Sequence, residues 1–125
     1  MTARPSVIGW GTFTLTNYLK MAKKNNIPPT DQIDVLGHTY AIGFIDNMSE
    51  EEMGRCHTTT QNIFIRDDLP PTLAKSVLLH EILHAVHWLS DLDDASTEEA
   101  FTSRVATNLR CVMLTNPALR DWIFS

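Results

Sequence analysis

Thirteen consecutive residues, Val77-Leu78-Leu79-His80-Glu81-Ile82-Leu83-His84-Ala85-Val86-His87-Trp88-Leu89, constrain this chain more than any other stretch. Apart from His80, Glu81, His84 and His87 every one of them is apolar, and no Gly or Pro interrupts the run. The run is too long for a typical strand and reads as a buried core helix. Its polar members then need partners, because an unpaired buried polar group is costly. The spacing His80-Glu81-x-x-His84 supplies one solution. Positions i and i+4 of a helix share a face, with Cβ atoms roughly 5–6 Å apart. Two imidazoles so placed can reach one metal ion at about 2.0–2.1 Å per bond. Glu81 leans beside that ion rather than onto it, where it can accept a proton from water as a general base. With five His and six Glu in the chain, chance alone yields the pattern in about one sequence in a hundred, so it is moderately specific by itself. The plainer alternative is two core histidines and an unrelated Glu.

The length of 125 residues fits one domain with a real core. A net charge of −5 argues against nucleic acid as the main partner, since phosphate binding needs clustered Lys and Arg. The one tight basic cluster, Lys20, Lys23 and Lys24, suits a solvated helix end. No apolar run approaches the ~18 residues of a membrane span, and residues 1–10 do not read as a signal peptide. Two cysteines, Cys56 and Cys111, are too few for a disulfide framework or a Cys-rich zinc site. They read as free thiols in a reducing, cytoplasmic compartment.

Thr14 to Asn25 reads as a helix with the stripe Leu15, Tyr18, Leu19 and Ala22. Ile33 to Gly37 and His38 to Ile45 read as strands, with Gly37 at a bend or bulge between them. Asp46 to Gly54 is a polar connection. Arg55 to Thr60 reads as extended, and Gln61 to Arg66 is the clearest strand. Pro71 starts the long helix, which runs to about Leu89 or Ser90. After the loop Asp91 to Ala95, a second helix is expected from Ser96 or Thr97 to Leu114, with Phe101, Val105, Leu109 and Val112 on its apolar stripe. Asn116-Pro117 stops it, and Pro117 to Phe124 forms a last short helix. Strands followed by helices imply an α+β domain, a small antiparallel sheet packed on the buried helix.

Two histidines leave a catalytic zinc one protein ligand short. His87 lies on the right face but far along one straight helix. The carboxylates Asp91, Asp93 and Asp94 are near in sequence. Glu98 and Glu99 open the next helix, and antiparallel helices can place such a carboxylate against a His pair. Each has an ordinary explanation: Asp91 to Asp94 as a solvated loop, Glu98 as a first-turn acid, Glu99 as the partner of Ser96 in a capping box.

His80-Glu81-Ile82-Leu83-His84, with Glu99 ahead of Val105-Ala106, resembles the gluzincin metallopeptidases. The likeness is greatest to minimal phage- and prophage-type members and to peptidases of the ImmA/IrrE kind. The matching residues are Ile63 and Ile65 in a strand, the His-Glu-x-x-His helix, and Glu99 with Ala106 seven positions on. The resemblance covers about residues 54–117. It implies a minimal zincin-like fold, zinc held by His80, His84 and Glu99, and Glu81 as base. It also implies a peptide held in extended form beside a strand, here Gln61 to Arg66, by strand addition. Two departures stand out. Ser103 occupies a position where such families often carry Asp or Asn. No Tyr or His follows the Glu helix to stabilise an oxyanion, leaving His57 and Tyr40 as substitutes or as ordinary residues.

The expectation is therefore a single-domain zinc peptidase acting on a peptide or protein, with no nucleic-acid or membrane partner. The alternative is a non-catalytic zinc protein that captures a host or partner protein, its site closed by a fourth protein ligand.

Overall fold

A computed structural model describes residues 27–46, 48–49, 51–91 and 97–125. The helix expected over Thr14 to Asn25 lies outside the described residues. Four strands, β1 (Gln32–Val35), β2 (His38–Ile45), β3 (Gly54–His57) and β4 (Asn62–Arg66), precede three helices, α1 (Pro71–Leu89), α2 (Glu98–Thr115) and α3 (Pro117–Ile123). The α+β class expected from the sequence is the one adopted.

Leu36 and Gly37 join β1 to β2 with φ of 54° and 89°. Positive φ at both central residues marks a type I′ turn, whose twist matches that of the strands. Gly37 accepts this conformation freely. Its N–H donates to Asp34 Oδ1 at 2.8 Å. The expected bend is thus a tight hairpin.

The sheet order is β1-β2-β4-β3. β1–β2 and β3–β4 pair antiparallel, but β2 and β4 run parallel, with Ile42 opposite Ile63 and Phe44 opposite Ile65. The purely antiparallel sheet expected from the sequence is corrected to a mixed one. The chain passes from β2 to the far edge, lays down β3, and returns as β4 between the two. β4 is therefore an interior strand, and β3 is an edge, as β1 is on the other side.

One face of the sheet carries Ile33, Val35, Tyr40, Ile42, Phe44, Ile63 and Ile65, all buried. They recur at every second residue, as a pleated strand requires. α1 packs against that face. Pro71 sits at its first position, where a missing N–H costs nothing. Ala74, Val77, Leu78, Glu81, Ile82, Ala85 and Val86 are buried and form one broad helical stripe. His80, His84, His87 and Trp88 are exposed. The helix is thus buried over one face and open along the other.

α2 begins at the cap residue Thr97, whose side chain accepts the N–H of Ala100 at 3.1 Å. Its contact side is polar as well as apolar: Asn108 Nδ2 donates to Ser90 Oγ at 2.8 Å and Arg104 Nη1 to the Ser90 carbonyl at 3.4 Å. At its C-terminal end Asn116 acts as a surrogate strand partner for β1. Its Oδ1 accepts the Asp34 N–H at 3.0 Å and its Nδ2 donates to the Asp34 carbonyl at 2.7 Å. α3 buries Leu119, Trp122 and Ile123. Lys75, buried on α1, donates to Ser125 Oγ at 2.9 Å and lies 5.5 Å from the centre of the Trp122 ring. No helix among the described residues is long and apolar enough to cross a membrane.

Candidate metal centre

α1 places His80, Glu81 and His84 at the rim of its buried stripe, where it passes under the edge strand β3. The two imidazoles face each other, with Nε2 to Nε2 at 3.1 Å and rings inclined at 75°. Two nitrogens bound tetrahedrally at about 2.05 Å would stand about 3.3 Å apart. The observed spacing corresponds to an N–metal–N angle near ~100° for bonds of that length. The pair therefore fits two positions of a tetrahedral site. In the absence of an ion, 3.1 Å also suits one N–H donating to the other ring.

Glu81 is turned the other way, into the protein, with its side chain 7 % exposed against 67 % for His80. Its Oε2 lies 3.9 Å from His80 Nε2, beside the rings rather than between them. Burial pushes the Glu81 carboxyl above the usual range, with Glu52 adding to the rise and His80 and His84 opposing it. Desolvation dominates because the group sits beneath β3 with little water around it.

Gly54 makes that approach possible. A Cβ there would stand 2.6 Å from Val77 Cγ1 and 3.0 Å from Glu81 Oε2. Val77 is β-branched and stiff at χ1, so it cannot swing clear cheaply. Gly54→Ala is expected to destabilise the fold by about 1–3 kcal/mol and to displace the Glu81 carboxylate. Urea unfolding reads the first effect. An unchanged midpoint would mean that the strand moves aside instead.

Cys56 also lines the cleft. Burial, reinforced by the Glu81 charge, pushes its thiol up to about 11. It is therefore protonated at neutral pH and a poor nucleophile. Cys111 is exposed. Iodoacetamide at pH 8 is expected to modify Cys111 well before Cys56, followed by peptide mass mapping. Equal rates would contradict the buried, protonated setting of Cys56.

The cleft has a volume of ≈ 420 Å³. One wall is β3 with Thr58, and the other is the exposed side of α1 from His80 to Trp88. Gln61 to Arg66 was expected to be the strand that receives a peptide. β4 lies between β2 and β3, so its main chain is engaged on both sides. Among the described residues the edge strands are β1 and β3, and β3 is the one beside the cleft. The Arg66 N–H donates to the Met53 carbonyl, its opposite residue, at 3.0 Å. By the antiparallel alternation, Arg55 and His57 also point their main-chain groups at β4, while those of Gly54 and Cys56 point outward.

The candidate third ligands are less closely placed. His87 lines the cleft, with its ring 5.4 Å from that of Phe101 on α2. Asp91 is exposed just past α1, and Asp93 and Asp94 lie outside the described residues. Glu98 and Glu99 are exposed in the first turn of α2. Phe101, Arg104, Asn108 and Val112 mark the inner side of that helix. At roughly 100° per residue, Glu98 falls toward that side and Glu99 toward the opposite one. Among the described residues, no three His, Cys, Asp or Glu side chains are grouped to hold one ion. Thr97 is the cap, so Ala100 rather than Glu99 takes the third helical position and the expected Ser96–Glu99 capping box is not the one that starts the helix. The two substitute oxyanion donors are also displaced. Tyr40 is fully buried in β2, and its hydroxyl has no hydrogen-bond partner among the described residues. Burial, with a smaller contribution from Cys56, raises its pKa. His57 alternates away from Gly54 and Cys56 and packs edge-on to Phe64 at 5.5 Å, on the far face of the sheet.

Gly54, Cys56 and Trp88 are the site residues that the sequence reading passed over. A glycine within an extended stretch does signal a close backbone approach. Nothing in the pattern around Cys56 or Trp88 marks either.

Comparison with protein families, with curated proteins and with solved structures finds no match to this chain. The class defined by fold and geometry is an α+β domain with a paired-histidine helix beneath a strand that ends the sheet formed by the described residues.

Proposed function

We propose that this chain is a zinc-dependent peptidase of gluzincin type, acting on extended peptide segments. The observation that carries the reading is the joint placement of His80 and His84, their Nε2 atoms 3.1 Å apart, with the buried Glu81 carboxylate 3.9 Å from one of them. A core coincidence has no reason to leave both rings exposed and converging while burying the carboxylate beside them.

His80 and His84 would hold the zinc through Nε2. The third ligand would be an acid of the first turn of α2, Glu99 by family resemblance or Glu98 by helical position. Zinc bound there supplies a Lewis acid that activates water at neutral pH and polarises a carbonyl. Glu81 takes the proton from the attacking water and delivers it to the departing amine. Burial, which raises its pKa in the metal-free chain, makes this carboxylate a stronger base than an exposed one. The outward N–H and C=O groups of Gly54 and Cys56 hold the peptide main chain as an added strand. The free thiols agree with a reducing, cytoplasmic setting.

The test is incubation of the zinc-loaded chain with a mixture of unstructured peptides, read by mass spectrometry for new termini. New termini are expected with zinc, lost on chelation and restored by zinc. No new termini under any condition would contradict the reading. Glu99→Ala and Glu98→Ala, compared by zinc titration, identify the third ligand as the one whose loss weakens binding more.

A further inference from the structure

One large side chain in the cleft has no part in the chemistry above. Trp88 is 60 % exposed, although tryptophan gains more than most residues from burial. It stands four residues past His84 and seven past Glu81, so the three share one stripe of α1, and it lines the same cleft. Its Cα lies about 6 Å further along the helix axis than that of His84. Same-side side chains of an extended peptide recur about every 6.8 Å. A peptide that crosses the His pair and runs along the α1 axis therefore carries the same-side side chain two residues away over the indole.

We infer that Trp88 is the specificity-determining residue of the cleft, forming the wall of a subsite for one large apolar or aromatic side chain of an extended peptide. The position of that side chain relative to a cleaved bond rests on the peptidase reading; its capture by the indole does not. β3, unpaired on its outer side among the described residues, runs along the opposite wall, and Gly54 and Cys56 there offer main-chain pairing to an extended occupant. The cleft gives no counter-ion to the other occupant that an indole attracts, a cationic side chain. Among the described residues Glu81 is the one carboxylate lining it, and it is buried beside the histidines. Arg55, the one arginine of the lining, alternates to the far face of β3 and pairs there with Glu52 at 2.6 Å, so it offers no free cation to an acidic side chain. An apolar group meets the indole without an unpaired charge of its own.

The test uses the full chain carrying Glu81→Gln, so that binding is read without turnover. The probes are blocked, fluorescently labelled alanine hexapeptides that differ at one position: Phe, Leu, Gly, Lys or Glu. The Phe and Leu peptides are expected to bind about tenfold more tightly than the Gly peptide, the gain from burying a side chain of that size. Lys and Glu peptides should bind no better than Gly. Adding Trp88→Ala should erase the preference, and Trp88→Phe should keep part of it. Because Trp88 is exposed, circular dichroism should find both variants folded. Equal affinity for Phe and Gly peptides, no measurable binding, a preference for Lys, or a preference surviving Trp88→Ala would each overturn the assignment. Cleavage of the same peptides by the zinc-loaded unmodified chain is scored separately. Phe-selective binding without cleavage would remove the peptidase reading and leave the subsite standing.

Discussion

Glu81→Gln is expected to lower the rate of peptide hydrolysis by about 10²–10⁴-fold, the usual contribution of a positioned general base, while zinc content stays unchanged. The amide keeps the size of the side chain and cannot take the proton. The same change should not cost stability. Burial is the main reason the Glu81 pKa is raised, which means that the folded state disfavours the charged form. A group of this kind weakens the fold progressively as pH rises from its unfolded pKa to its folded one, and a neutral amide removes that penalty. Thermal unfolding at neutral pH should therefore place the metal-free variant at or above the metal-free parent. Retained hydrolysis would remove Glu81 from the chemistry. A clear loss of stability would show that its carboxylate is satisfied by partners that the geometry does not provide.

His84→Ala should have the second large effect, on zinc rather than on the fold. The side chain is exposed, so its loss from the metal-free chain should change stability by no more than about 0.5 kcal/mol. Zinc affinity should fall by more than the ~10–100-fold that follows loss of a group merely orienting a ligand. Zinc at a hundredfold excess over its Kd stabilises a folded chain by about 2.7 kcal/mol, which raises Tm by roughly 10 °C in a domain of this size. That rise should appear in the parent chain and vanish in His84→Ala and His80→Ala. An equal rise in all three would place the metal elsewhere.

Much of this architecture was legible because strong local signals agreed. α1 begins at the expected Pro71 and ends at Leu89, bounded by a proline and by the end of the apolar run. The strand at Asn62–Arg66 and the two C-terminal helices lie where their patterns place them. Sheet order was not legible, because a period of two tells which face a residue occupies and nothing about which strand lies beside it. The short, polar β3 took the edge, and the apolar β4 went to the interior. The open side of α1 was obscured as well. Leu79, Leu83 and Leu89 are only half-buried, and their presence made the whole circumference look like core. The start of α2 turned on one residue. Ser96 and Thr97 are both good caps, and the use of Thr97 moves Glu99 from the third helical position to the second. The convergence of His80 and His84 on one face of α1 was readable from spacing alone. Gly54, which lets the carboxylate of Glu81 sit under the strand, needed the tertiary structure.

Whether His80 and His84 hold zinc is tested most directly by the zinc-to-protein ratio of the purified chain, measured by elemental analysis before and after reconstitution. A ratio near one is expected, falling toward zero in the His80→Ala/His84→Ala double variant. No zinc and no uptake on reconstitution would contradict it, and the facing imidazoles would then be a hydrogen-bonded pair at the surface of an ordinary α+β core.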